Sequence, residues 1–362
     1  VSAFPSARIN LAALKHNFSI VKQHAPDSRV MSVIKANAYG HDMATVATAL
    51  HESDAYAVAR LKEGIDLREQ GVHHPIVVLE GVHAEQDFRL AAAFELSPVI
   101  HHLSQIDTLN HIQLNTPLSF VWLMVDSGMH RLGISPEHVV SALDALKDNM
   151  NIDGEVQLMS HFANADWIGD KRNGRQLGVM TQLGEQTGLA LCLANSAAVL
   201  SLPDSHQDWV RPGLMLYGIS PFEDKTAFDL NLKPVMKLVS QLIGVYDIAA
   251  GEQVGYGGTW TADSPTRVGV VSIGYGDGYN RHLSNQAEVL INQQRVPVIG
   301  RVSMDTICVN LNDIPEAQIG DEVILWGDEK LPVERVAAWA NTIAYELVTC
   351  MTDRLHKDVQ HG

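Results

Sequence analysis

Lys35 closes the apolar run Val30-Met31-Ser32-Val33-Ile34 and is followed by Ala36-Asn37-Ala38-Tyr39-Gly40-His41, a passage from strand to loop. An ammonium held directly after an apolar strand is partly stripped of water. That lowers its pKa and favours the free amine, which attacks carbonyl carbons. The plainer alternative is a lysine that runs its methylenes along the strand end and reaches water. Two further segments suit a phosphate. Asn195-Ser196 sits where a strand meets the start of a helix, so a hydroxyl and backbone N–H groups could face an anion, although an ordinary N-cap uses the same residues. Arg211-Pro212-Gly213 falls in a late apolar strand, where the arginine serves either an anion or a surface ion pair. Gly274-Tyr275-Gly276-Asp277-Gly278 follows the run Val268–Ile273 and sets a tyrosine among residues that let backbone come close. Its glycines lack the spacing of a dinucleotide fingerprint, and a simple hairpin is the alternative. The 17 histidines show no His-Glu-x-x-His spacing and the cysteines lie far apart, so no metal site is expected. Neither a Gly-x-Ser-x-Gly elbow nor a Walker loop occurs.

Such side chains need elements to hold them. After an opening helix over Leu11–His24, short apolar runs alternate with amphipathic ones, the pattern of parallel strands joined by helices. The strands are expected at Val30–Lys35, Ala55–Ala59, Pro75–Leu79, Pro98–His101, Ser119–Val125, Glu155–His161, Leu189–Leu193 and Val210–Tyr217. About eight such strands close a (β/α)8 TIM-like barrel, whose C-terminal rim usually carries the chemistry. Helical patterns lie between them, such as Asp42–Leu50 and Pro136–Leu146, the latter with Ser135 as N-cap. Past Pro221 strand-like runs follow one another without helices: Val235–Val245, Arg267–Ile273, Glu288–Ile291, Val296–Ile299, Thr306–Leu311 and Glu322–Trp326, then a helical tail over Val333–Ala340. The expected organisation is an α/β barrel domain over 1–225 and a mostly β C-terminal domain over 226–362, packed together.

Composition narrows the partners. The 362 residues carry 26 Lys plus Arg against 42 Asp plus Glu, a net charge of −16, with no basic stretch, so nucleic acid is not an expected partner. No apolar run approaches the roughly 18 residues of a membrane span. Val1–Asn10 lacks a basic region followed by an apolar stretch, so the chain reads as cytoplasmic unless a leader was removed ahead of Val1. Cys192, Cys308 and Cys350 form no framework of pairs, in keeping with a reducing compartment.

Taken together, the segments Val33-Ile34-Lys35-Ala36-Asn37-Ala38-Tyr39-Gly40-His41, Asp126-Ser127-Gly128-Met129-His130-Arg131-Leu132-Gly133, Ser160-His161-Phe162-Ala163, Val210-Arg211-Pro212-Gly213, Gly274-Tyr275-Gly276-Asp277-Gly278, Gly300-Arg301-Val302-Ser303-Met304-Asp305 and Ala344-Tyr345-Glu346-Leu347 resemble, in family order, the alanine racemases, barrel-type enzymes that use pyridoxal 5'-phosphate. The resemblance implies that Lys35 holds the cofactor through its amine and serves as base on one face of the substrate α-carbon, with Tyr275 the base on the other. It further implies that Arg211 faces the pyridine nitrogen and leaves it uncharged, because a guanidinium hardly gives up a proton. Tyr39, Ser196, Tyr345 and the backbone of Gly213 and Leu214 hold the phosphate on this reading. His161 lies beside the ring and supports Tyr275. Arg131 with the backbone of Met304 and Asp305 receives the substrate carboxylate, and Asp166 and Arg301 resemble members of the family's entrance corridor.

One position departs from the pattern. Two residues before Asp126, where many relatives carry a carbamylated lysine that orients the arginine, stands Met124. Methionine supplies volume without counter-charge, and a chloride beside a partly desolvated Arg131 is the expected substitute. The resemblance implies a homodimer with shared active sites that interconverts L- and D-alanine and supplies D-alanine for peptidoglycan. The alternatives are a racemase for another amino acid such as serine or lysine, a barrel-type decarboxylase, and a non-catalytic pyridoxal-phosphate-binding protein.

Overall fold

The computed structural model describes residues 4–361; Val1, where the expectation about a leader falls, and Gly362, the end of the expected second domain, lie outside the described residues. A strand that the apolar pattern does not announce comes first, β1 (Ser6–Asn10). Asn10 then accepts the Ala13 N–H at 2.9 Å and caps the helix Leu11–His24, which buries Leu11, Leu14, Phe18 and Val21 at helical spacing.

The barrel strands are β2 (Arg29–Val33), β3 (Ala55–Val58), β4 (Ile76–Val78), β5 (Leu96–Ile100), β6 (Leu118–Met124), β7 (Ile152–Met159), β8 (Leu191–Ala194) and β9 (Trp209–Val210). They form one closed barrel, β9 pairing back onto β2 through Arg29 with Trp209 and Val30 with Val210. Strands β3, β5 and β8 are buried along their whole length, as parallel strands covered on both faces must be. The expected last strand, Val210–Tyr217, ends at Val210. Pro212 offers no N–H to a ladder, and Leu214–Tyr217 coil into a 3-10 turn. The expected helix Pro136–Leu146 likewise opens as a 3-10 turn, Pro136–His138, before the α-helix Val139–Lys147, and Ser135 Oγ bonds His138 Nδ1 at 2.9 Å instead of capping a backbone N–H.

Between β2 and the helix Met43–Ala49 the backbone inverts its hand. Ala36, Asn37, Ala38 and Tyr39 all have φ of 52 to 53°, a left-handed turn built without glycine. Each such residue costs about 1–2 kcal/mol, so surrounding contacts must hold the turn in place.

The remaining strands are β10 (Met236–Ile248), β11 (Gln253–Val254), β12 (Trp260–Thr261), β13 (Thr266–Val271), β14 (Glu288–Ile291), β15 (Gln294–Ile299), β16 (Ile307–Asn310), β17 (Glu322–Trp326) and β18 (His356–Gln360). Eight strands form one sheet in the order β13-β16-β15-β14-β17-β10-β1-β18, with β13 also paired to β10. Thus β1 lies antiparallel to β10 and parallel to β18, within the second sheet. Two helices, Val333–Trp339 and Ala344–Thr349, return toward the barrel mouth. Buried Asn17 ties the first helix to the chain leaving the barrel, donating to Leu216 O (3.0 Å) and Lys233 O (2.8 Å) and accepting from Lys233 N (2.8 Å). Glu334 does the same from the other side, accepting from Ser220 N at 2.8 Å and Ala227 N at 3.2 Å. Among the described residues no helix is long and apolar enough to cross a membrane.

Candidate active site

The C-terminal ends of the barrel strands open into a cavity of about 890 Å³. Lys35 stands in its wall because β2 ends at Val33 and buried Ile34 anchors the step into the left-handed turn. Burial, followed by the positive guanidinium groups of Arg131 and Arg211, lowers the pKa of Lys35, while Glu63 and Glu80 act in the opposite direction. The amine is therefore biased toward its nucleophilic, uncharged form.

Tyr39 ends the left-handed turn and lies buried against Tyr217, ring centroids 4.7 Å apart, with Tyr345 at 6.1 Å. A Cβ added at Gly213 would come within 2.5 Å of the Tyr39 hydroxyl oxygen, so only glycine leaves that hydroxyl its place. Ser196 opens the helix Ser196–Ser201, and its neighbour Asn195 is the N-cap, accepting from Ala198 N at 3.1 Å. Ser196 Oγ accepts from Gly213 N (2.9 Å) and Met215 N (3.2 Å), which leaves its own hydrogen free to point elsewhere. The Gly213 N–H is accordingly engaged inside the chain.

Arg211 is buried without an ion pair among the described residues. Its Nη2 donates to Ser160 O at 2.7 Å and to His161 Nδ1 at 3.0 Å, and its Nη1 to Cys192 Sγ at 3.0 Å. Because a guanidinium only donates, His161 Nδ1 must be the unprotonated nitrogen and Nε2 must carry the ring hydrogen. Burial and the charges of Arg211, Arg131 and Lys35 hold the His161 pKa well below 6.5, so the ring stays neutral.

Arg131 lines the same cavity on a loop organised by Asp126, whose Oδ1 accepts from Gly128 N at 3.0 Å and His130 N at 2.9 Å. Gly133 closes that loop at φ +142°, where a Cβ would lie 2.3 Å from Asp126 N. Within one chain Arg131 is exposed rather than partly desolvated, since the loop carries it beyond the strand ends. Met124, the last residue of β6, is buried in the cavity wall.

The cavity therefore gathers Lys35, Tyr39, Arg131, His161, Asp166, Ser196, Arg211, Gly213, Leu214 and Tyr345. Tyr275, Met304 and Asp305 are not in its wall. They form a second cluster on the C-terminal domain, where Tyr275 N donates to Ser303 O (3.0 Å), Gly276 N to Met304 O (2.9 Å) and Arg354 Nη2 to Asp305 Oδ1 (2.7 Å). Tyr275 and Met304 are 43% and 51% exposed, an uncovered state for an aromatic and a thioether at the same spot. Arg301 is exposed beside Gly257. Sequence reading missed Cys192, Glu63 and Arg354. Each acts through a partner distant in the chain, and no local pattern marks them.

Residues 9–221 match the family described as alanine racemase, N-terminal domain, and residues 235–359 the one described as alanine racemase, C-terminal domain. An alanine racemase of Aeromonas hydrophila is 45% identical over 349 residues, covering 96% of this chain and 97% of the relative. One from Vibrio cholerae is 45% identical over 350 residues, covering 97% of this chain and 96% of its own. Among solved structures, the biosynthetic alanine racemase of Pseudomonas aeruginosa superposes with a TM-score of 0.93 at 42% identity, over 98% of this chain and 99% of that one. That of Acinetobacter baumannii gives 0.91 at 38%, over 98% and 99%.

Proposed function

The chain belongs to the alanine racemase family and is an isomerase of that family, and we propose that it interconverts L- and D-alanine with pyridoxal 5'-phosphate in the barrel-mouth cavity, Lys35 and Tyr275 acting as the two bases. The observation that carries the reading is the set of groups around Lys35: an amine with lowered pKa, two guanidinium groups and a neutral histidine, all facing one cavity.

The residues fit that cofactor. Gly213 leaves open the cradle beside the Tyr39 hydroxyl that a Cβ would fill, and Ser196 has a hydroxyl hydrogen to give. With Tyr345 and the backbone of Leu214 they would hold the phosphate, and the Gly213 N–H would join them by exchanging Ser196 Oγ for a phosphate oxygen. When bound, pyridoxal phosphate supplies an electron-withdrawing ring that acidifies the α-hydrogen of an attached amino acid.

Lys35 would hold the cofactor through its amine, and its Nζ would hold a proton on one face of the substrate α-carbon. Tyr275 Oη holds a proton on the other, because inversion requires removal from one face and return to the opposite one. Arg211 would face the ring nitrogen as a permanent cation that does not hand over its proton. His161 keeps Nε2–H for donation and supports Tyr275. Arg131, with the backbone of Met304 and Asp305, receives the substrate carboxylate, and a chloride beside Arg131 substitutes for the charge that Met124 does not supply. Since Tyr275, Met304 and Asp305 lie outside the cavity of their own chain, the working unit is a homodimer in which each copy completes the other's site. The setting is cytoplasmic, and the product D-alanine serves peptidoglycan.

Chiral analysis of the purified holoprotein offered a panel of L-amino acids tests this reading. D-alanine should form faster than D-serine or D-lysine, no D-product should form with Lys35→Ala, and replacing chloride by a bulky anion at constant ionic strength should slow the reaction. A holoprotein that retains cofactor yet makes no D-amino acid contradicts it, and indifference to chloride removes the chloride alone.

A further inference from the structure

Four consecutive non-glycine residues in the left-handed region need an external hold, and the one at the start of the turn is a single side chain from another element. Glu63, in the first turn of the helix Leu61–Glu69, accepts from Ala36 N through Oε1 at 2.7 Å. Its Oε2 accepts from Ala59 N at 2.8 Å and Arg60 N at 3.0 Å. One carboxylate thus spans the residue after Lys35 and the two residues after β3. We propose that Glu63 is a positioning residue that locks the left-handed turn Ala36–Tyr39 and thereby fixes Lys35 and Tyr39 relative to each other.

The peptide unit is planar, so the Ala36 N–H that Glu63 grips belongs to the same rigid plate as the Lys35 carbonyl. Fixing that plate fixes the ψ of Lys35 and the direction in which its side chain leaves the backbone. At the other end, buried His41 donates through Nδ1 to Ala38 O (3.0 Å) and Tyr39 O (2.9 Å), and its ring packs at a tilt against Tyr217 with centroids 4.6 Å apart. Burial pushes the His41 pKa down to about 4, which keeps this ring a neutral, single-hydrogen clamp. Gly40 then lets the chain pass the helix Ala344–Thr349, where a Cβ would meet Val348 O at 2.0 Å. The turn is therefore gripped at its exit by groups that also buttress Tyr39, whereas at its entrance the Ala36 N–H has no acceptor but Glu63 among the described residues. Releasing that end allows Ala36 to fall back to the right-handed region and carries Lys35 and Tyr39 out of register.

This inference rests on the reading of Lys35 and Tyr39 as cofactor-holding residues. The test measures retention of pyridoxal 5'-phosphate by the holoprotein on serial dilution, with borohydride reduction and mass spectrometry to locate the attachment. Glu63→Gln keeps the size of the side chain and loses one acceptor oxygen, and should weaken retention by about tenfold or more, the scale of a lost charge-assisted hydrogen bond. Adding Ala36→Gly should recover most of that loss, because glycine enters the left-handed region without a clamp. If Glu63→Gln does not fold, Glu63→Asp takes its place, its carboxylate one methylene too short to reach both sides. Unchanged retention, or a loss that Ala36→Gly does not recover, overturns the proposal. A Lys35→Ala protein that still fixes cofactor on reduction overturns the reading beneath it instead, so the two failures are distinct.

Discussion

The amine of Lys35 sits between opposing influences: burial and then the guanidinium groups of Arg131 and Arg211 lower its pKa, and the carboxylates of Glu63 and Glu80 resist. In the unfolded chain the same amine titrates near 10.5. Between the lowered folded value and 10.5 the unfolded chain binds more protons, so stability rises with pH across that window, and below it the cost of burying the charge is felt in full. Lys35→Met in the cofactor-free protein removes that cost. Thermal unfolding should show the variant more stable than the parent at neutral pH, with the advantage narrowing as pH climbs toward 10.5. An advantage that is absent at neutral pH, or that widens with pH, contradicts the lowered pKa. Lys35, Ser196 and Arg211 are conspicuous in the sequence because each lies at or beside the end of an apolar run, whereas Tyr39 is named only through the resemblance. Glu63 and Cys192 were not. A glutamate in the first turn of an amphipathic helix and a cysteine inside an apolar strand are what those elements contain anyway, and their contacts to Ala36 and Arg211 cross 27 and 19 residues of chain.

At the scale of elements, the barrel owes its site to places where regular structure stops. β9 is two residues long, and the 3-10 turn that replaces its expected continuation brings Gly213 against Tyr39 and Ser196. Gly213→Ala puts a methyl 2.5 Å from the Tyr39 hydroxyl oxygen and 3.2 Å from its ring carbon. The rim is exposed to the cavity, so the tyrosine can yield without collapse of the core. The expected outcome is a folded protein that retains pyridoxal phosphate about tenfold less well, a shift that corresponds to a hydrogen bond lost. Unaltered retention on spectroscopic titration would show that the Tyr39–Gly213 contact does not shape the phosphate cradle. The helix Leu11–His24 and the barrel strands were readable from their apolar patterns, whereas the Asn10 cap of that helix shows only in the fold. Strands β1 and β18 escaped notice because they gain their meaning from β10 and from each other, at the two ends of the chain. The left-handed turn escaped for a different reason: alanine does not favour it, and contacts that no local pattern announces, among them those of Glu63 and His41 and the packing of Gly40, hold it in place.

At the scale of the whole molecule, the residues expected to do one piece of chemistry fall into two groups on one chain. Lys35 lines a cavity with the cofactor-side residues, and Tyr275 stands exposed with Met304 and Asp305 on the C-terminal domain. Arg354, bonded to Asp305 and 3.2 Å from Asp277, ties the second group together. Two variants expected to be inactive alone, Lys35→Ala and Tyr275→Phe, provide the most direct measurement of the proposed arrangement. Each mixed dimer would pair the Lys35 of one chain with the Tyr275 of the other in one site and leave the second site doubly impaired. With random exchange of equal amounts, half of the dimers are mixed and about a quarter of all sites are intact, so racemisation of alanine should return to about a quarter of the parent rate. No recovery, with subunit exchange demonstrated by mass spectrometry of the mixed dimer, contradicts the shared site.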